Sequence, residues 1–106
     1  MIHADFIRRD EQIVAFEMDG HANFAEQGAD LVCAGATSIA FGMVNAISEK
    51  MGIEPVMEED DGYLYYSVPE DLEGNEVVQI LLEGMEHQLI SLAYSYPDYI
   101  TINSKK

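Results

Sequence analysis

The 106 residues carry 20 acidic against 5 basic side chains, a formal net charge of −15. A field of that sign repels nucleic acid and anionic membrane surfaces and draws in basic peptides or proteins, so direct nucleic-acid or membrane binding is not expected. The length fits one domain over residues 1–106, and 48 % apolar composition suits a packed core rather than disorder.

The chain opens Met1-Ile2-His3-Ala4-Asp5, without a basic-then-apolar leader pattern. Ile2, Ala4 and Phe6 alternate with His3 and Asp5, which predicts a half-buried strand. Arg9-Asp10-Glu11-Gln12 reads as a polar turn, and Val14, Phe16 and Met18 form a second strand stopped by Gly20. His21 to Gly28 is a polar loop apart from Phe24, bordered by Gly20 and Gly28.

Leu31 to Met51 has helical length and composition, with Asp30 placed as N-cap and Lys50 in the last turn. Its apolar residues surround the axis, which predicts a central helix buried on several sides, and no run approaches the ~18 consecutive apolar residues of a membrane span. Ile53 to Met57 reads as a short strand, pushed to a sheet edge by Pro55. The acidic segment Glu58-Glu59-Asp60-Asp61-Gly62 reads as a solvated hairpin tip, and Tyr63 to Val68 as the returning strand. A second, amphipathic helix is predicted from Asn75 to Ser95, ended by Pro97, with a last strand at Tyr99–Ile102. The β-β-α-β-β-α-β order predicts an α+β fold in two layers, a mostly antiparallel sheet with both helices on one face.

Cys33 is the only cysteine, which excludes an intramolecular disulfide. With Asp30 as cap, Cys33 lies in the first turn of the helix, where free N–H groups and the positive dipole end favour a thiolate. The backbone N–H groups of Cys33 and Ala34 are candidate donors to the oxyanion of a tetrahedral intermediate. His21 ends a strand that should lie beside this helix start, within reach to share a proton with the thiol. The competing readings are a packed structural cysteine in a non-catalytic, acidic module that holds a basic protein, or a redox sensor, which would lack a resolving cysteine. His3 and His87 belong to no ligand pattern, and no set of metal ligands is read.

Gly20-His21-Ala22, followed by Gly28, Asp30 and Val32-Cys33-Ala34-Gly35-Ala36, resembles the signature of the ribosomal-processing cysteine proteases (the Prp family). The likeness runs through Phe41-Gly42 and Val44-Asn45-Ala46 to the acidic hairpin and closing helix, covering essentially the whole chain. It implies a bacterial, cytoplasmic homodimer that needs no cofactor. The implied activity is removal of an N-terminal extension from large-subunit ribosomal protein twenty-seven, after a short motif with two phenylalanines. By position, Cys33 is the implied nucleophile and His21 the general base and acid, with Asp30 orienting the site. The family usually has serine where this chain has Thr37, with Ser38 next to it. The loop Ala22–Gln27 then reads as a lid hinged at Gly20 and Gly28, with Phe24 either meeting substrate or packing.

Overall fold

Alternating apolar residues make β1 (Ile2–Arg9) and β2 (Gln12–Asp19) an antiparallel pair, in the computed structural model that describes residues 1–26 and 29–105. Asp10 and Glu11, the two residues between them, both have positive φ (52° and 70°), the backbone that matches a two-residue turn to the strand twist. Then follow α1 (Leu31–Met51), β3 (Val56–Asp60), β4 (Tyr63–Ser67), a 3₁₀ turn at Glu70–Leu72, α2 (Glu76–Ser95) and β5 (Ile100–Lys105). The strands form one sheet in the order β3-β4-β2-β1-β5, antiparallel except where β5 runs parallel to β1.

The pairing puts Ala4 beside Met18 and Phe6 beside Phe16, and continues the same face through Leu64 and Tyr66. These six side chains are buried, and both helices cover them. Alpha-helix α1 contributes the stripe Val32, Ala36, Ala40, Val44 and Ile47; α2 contributes Val78, Leu82, Met85 and Leu89. Burying a side chain the size of Phe16 stabilises by roughly 1.5–3 kcal/mol. This is the two-layer α+β fold that the sequence order predicts.

A bulge between Ile7 and Arg8 interrupts the β1–β2 ladder. Gln79 of α2 satisfies the backbone there, accepting from Ile13 N–H at 2.8 Å and donating to Ile13 C=O at 2.9 Å. Beside it Arg8 makes two 2.9 Å bonds to Glu86, and Ser104 donates to Glu86 Oε2 at 2.5 Å. The Arg8 and Glu86 side chains are only 8 % and 9 % exposed, so β1, α2 and β5 are joined by a buried ion pair. Its hydrogen bonds to Arg8, opposed by burial, hold the Glu86 carboxyl below its ordinary range.

Three expectations change. First, β3 is Val56–Asp60, not Ile53–Met57; the strand runs through most of the acidic segment, and only Asp61 and Gly62 make the turn. Edge position permits this, since β3 pairs only with β4 and its carboxylates face water. Second, β5 begins at Ile100 and extends to Lys105, along β1. Third, α1 is buried along one stripe rather than on several sides, and Leu31 is 66 % exposed. Its most apolar window has mean hydropathy 1.6, so by length and composition this helix could cross a membrane. A core helix passes the same test, and α1 is interrupted by Thr37, Ser38 and Asn45 and packs its buried stripe on the sheet.

Candidate active site

Between the ends of β1 and β2, the start of α1 and the β3–β4 turn lies a cleft of about 570 Å³. Its lining includes His21, Asn23, Asp30, Cys33, Thr37 and Gly62. Asp30 organises the floor. Its Oδ1 accepts from the N–H groups of Val32 and Cys33, each at 3.0 Å, the capping geometry that starts α1. Its Oδ2 accepts from Phe24 at 2.9 Å and Ala25 at 3.4 Å, so the same carboxylate also holds the loop after β2. Burial works against the charge on Asp30, but these four N–H donors prevail and keep its pKa below the ordinary value.

Cys33 is partly exposed at the first turn of α1, not sealed in the core. Its Sγ accepts from the backbone N–H of Ala22 at 3.3 Å. Thr37 lies one turn further along the cleft side of α1. His21 is brought to the same cleft, with its side chain 46 % exposed and Nε2 3.8 Å from Asp61 Oδ1. The ring rests on the β3–β4 turn: a Cβ added at Gly62 would stand 2.7 Å from Nε2. Among the described residues no hydrogen bond joins His21 to Cys33, whose sulfur partner is Ala22.

The structure bears on three further sequence readings, and for Phe24 it selects packing over contact with substrate. The Cys33 and Ala34 amides are not free for an oxyanion, because Cys33 N–H is spent on Asp30 Oδ1 and Ala34 N–H on Asp30 C=O at 3.0 Å. The cap that starts the helix consumes the donors that a bare helix end would offer. Phe24 does not line the cleft; it packs edge-on against Tyr96 and Tyr99, at centroid distances of 5.3 and 5.1 Å. Gly20 is held rather than free, with φ of +97°, its N–H on Gly62 C=O at 2.8 Å, and Met1 C=O where a Cβ would go. Gly28, the other expected hinge, lies outside the described residues.

The turn residues Asp61 and Gly62, and Asn23, were not singled out as site residues by the sequence. The Asp-Gly pair was legible as a turn, but its contact with His21 spans some forty positions and leaves no local pattern.

An α+β layer fold that opens a single, partly buried cysteine and a histidine to one cleft defines a cysteine hydrolase in outline. Comparison with known proteins makes the class definite: the model of the family described as cysteine protease Prp matches residues 1–101. The chain is 45 % identical over 109 residues to the ribosomal processing cysteine protease Prp of Bacillus subtilis, covering 98 % of this chain and 97 % of that one. It also superposes on a Prp structure from Staphylococcus aureus in complex with a covalently linked product peptide. That match has a TM-score of 0.87 and 34 % identity, covering 99 % of this chain and 100 % of the other. A second Staphylococcus aureus Prp structure, with a substrate peptide, matches with a TM-score of 0.85 and 33 % identity, over 99 % and 100 % of the two chains. The chain belongs to the Prp family of ribosomal-processing cysteine proteases.

Proposed function

We propose that this protease removes the N-terminal extension of large-subunit ribosomal protein twenty-seven, with Cys33 as nucleophile and His21 as general base and acid. The observation that carries the reading is Cys33 Sγ, open to the cleft at the start of α1 and sharing that cleft with His21. In the first step His21 takes the thiol proton and the S–C bond forms. Collapse then breaks the C–N bond, with the proton passing from His21 to the leaving amine. Water next attacks the thioester, giving a proton to His21; the C–S bond breaks, and His21 returns that proton to the departing sulfur. His21 rests on the β3–β4 turn with its ring half-exposed, in the same cleft that Cys33 lines.

Asp30 positions rather than reacts: it fixes both the helix start and the loop that follows His21. The wall formed by Glu59, Asp60 and Asp61 supports a basic substrate, whose encounter the acidic surface would speed. A homodimer in the cytoplasm is part of the same proposal. The exposed side of α1, where Ala34, Gly42 and Ala46 lie uncovered, supports close approach of a second copy.

The test is cleavage of the purified extended ribosomal protein, followed by mass spectrometry. Cys33→Ala and Cys33→Ser should each nearly abolish release of the extension, and cleavage should slow as salt is raised. Undiminished processing by Cys33→Ala would falsify the assignment.

A further inference from the structure

Attack of a thiolate on a peptide carbonyl moves a pair of electrons onto the carbonyl oxygen, and that charge needs a donor already in place. At the start of α1 the obvious donors are engaged, since Asp30 accepts from Val32, Cys33 and Ala34. We propose that the backbone N–H of Ala22 is the oxyanion donor. The assignment rests on Cys33 being the nucleophile, and it names the group that meets the charge created by its attack.

The geometry is direct. Ala22 N–H stands 3.3 Å from Cys33 Sγ, and its chain neighbours His21 and Asn23, like Cys33, line the cleft. In the tetrahedral adduct the oxygen is one bond from the carbon attached to that sulfur. A donor that touches the sulfur at rest can therefore reach the oxygen at about 3 Å, the range such donors need. As the S–C bond forms, the N–H exchanges a weak acceptor, sulfur, for a charged oxygen, so its bond strengthens in the transition state.

The donor is also held before substrate arrives. Ala22 is 3 % exposed, so its methyl is fixed in the core. Upstream, Gly20 is clamped between Met1 and Gly62. Downstream, Asn23 turns the chain with φ of +57°, and Phe24 and Ala25 are bonded to Asp30 Oδ2. A donor anchored on both sides costs little reorganisation at the moment of reaction. Asp30 thus withdraws three helix amides from the site and sets the path of the loop that supplies another.

Backbone replacement tests this in the full chain. A synthetic 1–32 thioester with lactic acid in place of Ala22 can be ligated to 33–106 at Cys33, leaving one amide changed to an ester. An all-amide chain made by the same route is the control. With the extended ribosomal protein as substrate, kcat should fall by about 10²–10³-fold while KM stays within about threefold. Alkylation of Cys33 by iodoacetamide, which creates no oxyanion, should keep its rate. Unchanged kcat overturns the proposal, and so does alkylation that falls in step with kcat, which would show the N–H acting on the resting sulfur. A folded all-amide chain without activity would overturn the protease mechanism itself, a distinct result.

A second measurement needs no altered backbone. A peptidyl trifluoromethyl ketone bearing the cleavage sequence forms an adduct on Cys33 with an ionised oxygen. In the ¹⁵N-labelled enzyme, the Ala22 amide proton should then move downfield more than those of Cys33 and Ala34. The reverse order overturns the proposal.

Discussion

Replacing Gly62 by alanine should damage catalysis far more than stability. Gly62 has φ of +68°, and a Cβ there would stand 2.7 Å from His21 Nε2 and 3.2 Å from Cδ2 and Cε1. Reaching ordinary contact requires the ring to retreat by about 0.7 Å, and the half-exposed ring can do so cheaply. The stability cost is therefore mostly left-handed backbone strain, about 1–2 kcal/mol. Gly52, which ends α1 with φ of +65°, is a matched control: it bears the same strain but has nothing within 4 Å of its added Cβ. Both variants should lose roughly 4–8 °C of Tm per kcal/mol in calorimetry. Only Gly62→Ala should also lose kcat, by about 10–100-fold, because displacements near 1 Å in a reacting group cost that order. Steady-state cleavage of the extended ribosomal protein measures it. A Gly62→Ala enzyme with kcat within twofold of Gly52→Ala would refute the view that the turn sets the position of His21.

Glu86→Gln leaves Arg8 buried without its anion and should cost about 3 kcal/mol in denaturant unfolding, whereas Arg8→Met with Glu86→Leu should recover most of that loss. Because the folded-state pKa of Glu86 is depressed, its contribution is complete above the ordinary value of 4.5 and disappears as pH falls through the lower folded value; an acid titration of Glu86→Gln should lack that component. Tyr63 donates to Glu17 at 2.8 Å on the solvent face of the sheet, which pushes its phenol up to about 12. Tyr63→Phe should remove a phase near pH 12 from the tyrosine absorbance titration, and persistence of that phase would contradict the assignment. Phe24→Ala removes two edge-on aromatic contacts and should lower kcat/KM by about tenfold, with faster hydrogen exchange at Ala25 measured by NMR.

What was legible in the sequence is what local pattern controls. Ile2-Ala4-Phe6 and Val14-Phe16-Met18 alternate, and Asp30 and Asn75 stand at helix starts whose amides they cap, so these elements could be read residue by residue. The edge strand β3 could not, since Glu58, Glu59 and Asp60 are extended because β4 lies beside them, not through any preference of their own. The apolar surround of α1 suggested burial on several sides, but one chain fills only one of them. Cys33, His21 and Asp30 were singled out because a cap and a strand end suggest reactive groups near each other, and because Gly20-His21-Ala22 and Val32-Cys33-Ala34 resemble a family signature. The Arg8–Glu86 pair joins positions 78 apart, and Phe24 meets Tyr96 and Tyr99; partners so remote leave no trace in either neighbourhood.

The two oxygens of Asp30 constrain how this position can vary. At most helix starts, serine, threonine, asparagine and aspartate can replace one another, because one acceptor suffices. Here one oxygen serves the helix and the other serves Phe24 and Ala25. Serine would leave the loop unheld, and asparagine would turn an NH₂ group towards N–H groups that need an acceptor. Residue 30 is thus closed to the drift that ordinary caps tolerate. A lineage that loses this aspartate would have to rebuild the helix start and the loop together.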